Sequence, residues 1–142
     1  SFDNVDRENG IWRYFSHFKA FGKAKAQEQL LKYEKDDREP FPSVYQLFAG
    51  KIAPAEILSQ IESAKISDTE KEKRLFYARL YLGLNAAIEG DKKAAVKQLE
   101  LMLPNQWGPE AGYGPHFMWQ VGRLHLDLLR KEQADSKNDP QE

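Results

Sequence analysis

Residues 77–103 read YARLYLGLNAAIEGDKKAAVKQLELML, two helix-like halves broken at Glu89-Gly90-Asp91. Between Leu75 and Ile88 only Arg79 and Asn85 carry polar side chains. A helix that is apolar all round must be covered on more than one flank. The spacing therefore predicts a long helix to Glu89, a stop at Gly90, a cap at Asp91 and a second helix over about Lys92 to Leu103. Upstream, Ser67-Asp68-Thr69-Glu70 has the form of a capping box that opens the first of these helices.

The same reading extends outward in both directions. Ile11, Tyr14, Phe15, Phe18 and Phe21 recur at three- and four-residue spacing and predict one amphipathic helix. Gly22 ends it, and Lys23 to about Lys35 forms a second helix carrying Leu30 and Leu31. The stretch EKDDREPFP is a solvated turn closed by Pro40 and Pro42. SVYQLFAGKIAPAEILSQI then predicts a short helix ending at Gly50 and another with Pro54 in its first turn. After residue 103 comes a longer connection, PNQWGPEAGYG. Pro115 suits the first turn of a last helix, whose face is read as Phe117, Met118, Val121, Leu124, Leu128 and Leu129. Beyond Arg130 the residues KEQADSKNDPQE lack an apolar stripe, which predicts a disordered tail over 133–142. The expected architecture is all-α, with residues 1–132 forming a single domain. It consists of about three stacked antiparallel helical hairpins and a closing C-terminal helix.

Composition bounds what such a chain does. Its 142 residues suffice for a sizeable core, and 41% hydrophobic against 30% charged residues is an ordinary globular balance. The formal net charge is −1, from 21 basic and 22 acidic side chains, which argues against a generally basic nucleic-acid binder. The aromatic and basic residues of RYFSHFKAFGKAKA fall on opposite helix faces, as core and solvated surface do. There is no cysteine, so disulfides, thiol nucleophiles and cysteine-based zinc sites are excluded. Arg79 interrupts the longest apolar run well short of a membrane span. The chain begins at Ser1, and a targeting signal, lipid anchor or further repeats upstream are compatible with that start.

No constellation for catalysis emerges. His17, His116 and His125 lack metal-ligand spacing, and no H-E-x-x-H pair, phosphate-binding loop or G-x-S-x-G elbow is present. No cofactor is expected, and the chain reads as a non-enzyme. The aromatics of PNQWGPEAGYGPHFMW are different, because surface connections that carry large aromatics often meet partners. Trp107, Tyr113, His116 and Trp119 are the candidate partner-binding residues.

Leu82-Gly83, followed twelve residues later by Ala95 and then by Leu99, resembles the tetratricopeptide repeat, a roughly 34-residue helical hairpin. The resemblance implies that Leu82, Gly83, Ala95 and Leu99 form the close helix contact, with Gly90 in the turn. Arg79 stands where the repeat usually has tryptophan, Ala86 where it has tyrosine, and no proline falls at the repeat's usual end. Over about residues 11–129, IWRYF…GKAKAQEQL, VYQLFAGKIAPAEIL and FYARLYLGLNAAIEGDKKAAVKQLELML resemble the C-terminal half of NlpI-type bacterial lipoproteins. Here the WGPEAGYGP connection is longer and more aromatic than in that family. The likeness implies a repeat-built adaptor on the periplasmic side of an outer membrane, anchored there, serving cell-wall hydrolases and a protease. The expected function is thus a protein- or peptide-binding adaptor module. The alternative is a structural unit of a longer repeat protein that associates with itself as a homodimer.

Overall fold

The computed structural model describes residues 2–30 and 39–138. The fold is all-α: among the described residues there are helices and turns but no strands. In chain order the helices are α1 (Phe2–Phe21), α2 (Lys23–Leu30), α3 (Phe41–Phe48), α4 (Pro54–Ser63), α5 (Asp68–Ile88), α6 (Lys92–Met102), α7 (Trp107–Glu110) and α8 (Tyr113–Asn138). Among the described residues, no helix is long and apolar enough to cross a membrane. The chain divides into two compact units, Ser1–Lys65 and Ile66–Glu142, a division the sequence reading did not draw.

In the first unit α1 and α2 pack as a hairpin, and α3 packs against both α2 and α4. Its core contains Ile11, Tyr14, Phe15, Val44, Phe48, Ile57 and Ile61. Tyr14 stacks on Phe48 at 4.3 Å between ring centroids, and Phe15 meets the same ring edge-on at 5.4 Å. The Phe48 carbonyl, near the end of α3, accepts from Gln27 Nε2 at 3.0 Å, which ties α2 to α3. Phe21, expected on the buried face of α1, is instead exposed. It sits in the last turn before Gly22, where the chain is already reversing. Leu31 and most of the expected turn over EKDDREPFP lie outside the described residues.

The second unit is built on α5. Ser67 Oγ accepts from the Glu70 amide at 3.1 Å and caps it, with Asp68 and Glu70 adding favourable charge in the first turn. Gly90 ends the helix with φ +89°, a left-handed conformation that side chains disfavour, and Asp91 Oδ1 caps α6 through the Ala94 amide at 3.0 Å. Every residue from Leu75 to Asn85 is buried except the partly covered Arg79. α6, α7 and α8 all pack on α5.

Three glycines let these helices approach one another closely. A Cβ built on Gly83 would lie 2.7 Å from Leu99 Cγ, so α6 sits where a side chain of α5 would otherwise stand. On Gly108 of α7 it would lie 2.4 Å from the Phe76 ring. On Gly122 of α8 it would lie 2.5 Å from Met102 Cε and 3.0 Å from Leu80 Cδ1. Ala95 is fully buried, and its carbonyl oxygen is also near Gly83. Ala95→Leu adds three carbons where there is no room. Its expected cost is ~1–3 kcal/mol by overpacking. An unchanged chemical-unfolding midpoint would mean that α5 and α6 are not this close.

α8 differs from expectation in two ways. Its buried line is Met118, Gly122, Leu126 and Leu129, while Phe117, Leu124 and Leu128 are exposed. The expected face was therefore rotated: the line that carries Gly122 faces α5 and α6, because only a glycine admits Met102 and Leu80 so closely. The helix also continues through residues 133–138, where disorder was expected. Good helix formers such as Lys131, Glu132, Gln133 and Ala134 sustain it without an apolar stripe. Lys92–Glu132 and Arg130–Glu100 ion pairs, both 3.0 Å, lie just before that stretch. Residues 139–142 lie outside the described residues.

Candidate functional site

The connection from α6 to α8 is a built corner rather than an open loop. Asn105, itself buried, fastens it at both ends of its amide. Its Nδ2 donates to the Glu72 carbonyl on α5 at 2.8 Å, and its Oδ1 accepts from the Gly108 amide at 3.0 Å. That second bond holds α7 in place, and the absent side chain of Gly108 makes room for the Phe76 ring. Neither residue was singled out from the sequence. The signal was there in Asn105-x-x-Gly108, an Asn placed to accept from the amide three residues on, as helix-capping side chains do.

Seating α7 on α5 positions Trp107. Its ring meets Phe76 at 5.9 Å and Tyr77 at 5.6 Å between centroids, so one part of the indole is core. The rest lines an open cleft of about 530 Å³ between the first turns of α5 and the α6–α7 connection. Asp68, Thr69 and Glu72 of α5, with Pro104, Gln106, Glu110 and Ala111, form the other walls. Three carboxyl side chains thus share the lining of this cleft with the indole. Among the described residues, none of the three forms an ion pair. Lys73 Nζ lies 5.9 Å from the Trp107 ring centroid, so this indole already attracts one cation of the chain.

The other three residues expected here stand apart from the cleft walls. Tyr113, at the start of α8, is 88% exposed and ready for contact. His116 is held from two sides. Its Nδ1 is 3.0 Å from the Pro109 carbonyl, which can only accept, so Nδ1 carries the proton; Nε2 is 2.9 Å from Gln120 Nε2. Its ring stacks on Trp119 at 6.2 Å. Trp119 in turn donates its indole N–H to the Leu103 carbonyl at 3.2 Å, satisfying a carbonyl left over at the end of α6. Arg123 lies over the same ring at 5.5 Å. His116 and Trp119 therefore lock the start of α8 to α6 and α7. Of these four, Trp107 lines the cleft and Tyr113 is the most exposed, with neither held by a side-chain hydrogen bond of the kind that ties His116 and Trp119.

Of the residues read as repeat packing, Gly83 of α5 lies against Leu99 and the Ala95 carbonyl of α6, Gly90 stands at the turn, and Leu82 is buried on α5. Among the described residues, no group of three or more histidine, cysteine, aspartate or glutamate side chains is placed to hold a metal ion. No family model, curated protein or solved structure matches the chain.

Proposed function

We propose that the chain is a protein-interaction module, built from tetratricopeptide-like hairpins and without chemistry of its own, that receives a basic segment of a partner at the Trp107 cleft. The observation that carries this reading is the set of unpaired carboxylates of Asp68, Glu72 and Glu110 that line one cleft with a partly exposed indole. A lysine or arginine side chain satisfies such a site twice, through its charge and through its contact with the ring. The same charges repel nucleic-acid phosphates. Tyr113 supplies a second exposed aromatic near the corner, of the kind that anchors interfaces. The likeness to NlpI-type lipoproteins extends the proposal to an adaptor that binds a cell-wall hydrolase or a protease on the periplasmic side of a membrane.

Selection of binders from a library of random unstructured peptides tests this. Recovered sequences are expected to be rich in lysine and arginine. Their affinity should fall at least tenfold in the Glu72→Lys, Glu110→Lys double variant, whose thermal midpoint should hold because both side chains are solvent-exposed. Binders without basic residues, or binders indifferent to the charge reversal, would remove the cleft from consideration.

A further inference from the structure

Lys73 stands where the seat of Trp107 ends and the cleft begins. Along α5 it comes one turn after Thr69, which lines the cleft, and one turn before Phe76 and Tyr77, whose rings meet the indole. Its side chain is half-buried, and its Nζ lies 5.9 Å from the Trp107 ring centroid. Nearby carboxylates do not take this ammonium. Glu70, three residues back, pairs with Arg74 at 3.1 Å, and among the described residues neither Asp68 nor Glu72 pairs with any cation. Among those same residues the indole is the partner that Lys73 has. On the reading of the cleft as a site for basic segments, we propose that Lys73 is a built-in competitor there: its ammonium holds the cation position of the Trp107 ring, and a partner's basic side chain gains that position only by displacing it.

Such an exchange returns at the ring only the difference between the incoming cation and Lys73. A lone lysine that reaches the indole merely replaces its like. A segment with several basic residues covers the carboxylates as well, so the contact favours multiply charged partners over single cations. Position 73 also separates competition from plain charge repulsion. Arginine there keeps the charge and strengthens the hold on the ring, because a planar, weakly hydrated guanidinium stacks on indole where an ammonium cannot. Methionine keeps the apolar stem and gives up the ring position altogether. Both side chains preserve the packing of the lysine stem, so both chains are expected to fold.

The probe is tetralysine, acetylated and amidated, titrated into the isotopically labelled full chain and followed by NMR. The indole N–H signal of Trp107, identified by its absence in Trp107→Phe, reports occupancy. Against the wild-type chain, Lys73→Met is expected to bind about two- to fivefold more tightly, the range that one exposed cation–indole contact supports. Lys73→Arg is expected to bind about twofold more weakly at unchanged charge. Lys71→Met removes a neighbouring charge and leaves Lys73 on the ring, so its gain should be smaller than that of Lys73→Met. Equal affinities of the wild-type and Lys73→Arg chains would overturn the competition while leaving the cleft as a binding site. A gain in Lys73→Met no larger than in Lys71→Met would do the same, since charge alone would account for it. A Trp107 signal that tetralysine moves in none of these chains would remove the cleft itself, and the competitor with it.

Discussion

Replacing Phe76 with alanine is expected to lower the unfolding free energy by ~3–5 kcal/mol, the range for removing a fully buried aromatic ring. The ring has no exposed surface, and it lies where α5 and α7 of the second unit meet. It meets Tyr77 at 5.1 Å, Trp107 at 5.9 Å, and fills the space left by the missing side chain of Gly108. Its loss leaves a cavity under α7, and the wall of the Trp107 cleft rests on that helix. Urea unfolding followed by circular dichroism reads the stability. A loss below ~1 kcal/mol would show that α7 collapses into the void at little cost, contrary to the close packing described. Peptide binding at the cleft should weaken in the same variant even where it remains folded, because Trp107 loses the ring that positions it.

Leu99→Ala is expected to cost ~2–5 kcal/mol, and its partner Gly83 makes the prediction sharper. In the native chain, a Cβ at position 83 collides with Leu99 Cγ and Cδ2, at 2.7 and 2.8 Å. Gly83→Ala should therefore destabilise, despite the ~1 kcal/mol that alanine gains over glycine inside a helix. Shortening Leu99 to alanine removes both colliding atoms. The nearest remaining neighbour is then the Ala95 carbonyl oxygen at 3.4 Å, an ordinary contact. In that background Gly83→Ala should stabilise, reversing its sign. A double-mutant cycle measures this directly. If Gly83→Ala has the same effect in both backgrounds, the two residues do not share the space assigned to them.

The α5–α6 hairpin was legible in the sequence because its signals are local. A hydroxyl at Ser67, an amide three residues on, a glycine at 90 and an aspartate at 91 each act within one turn of themselves. The face of α8 was not legible. Two apolar lines run along that helix, Phe117–Val121–Leu124–Leu128 and Met118–Leu126–Leu129, and both repeat at helical spacing. Periodicity identifies the helix but cannot say which line is inside. Gly122 is the residue that decides, since a glycine in a helix interior is costly unless something packs against it. The corner around Trp107 depends on Asn105 reaching the Glu72 carbonyl, 33 residues away, and no local pattern announces that bond. The aromatics were recognisable as a group, but their division into locked and exposed members follows from partners elsewhere in the fold.

Gly83 and Gly90 belong to the same hairpin and are required for opposite reasons. Nothing lies within 4 Å of a Cβ built on Gly90, yet its φ of +89° is one that L-residues rarely adopt. Gly83 has ordinary helical geometry and no room. One position excludes volume, the other excludes a handedness. An alanine scan would report a loss at both and could not tell the two causes apart. Only a mirror-image residue separates them: D-alanine suits the turn at 90, whereas at 83 it would disturb a right-handed helix as well as its neighbour. The turn is a constraint of chirality, the helix contact one of shape.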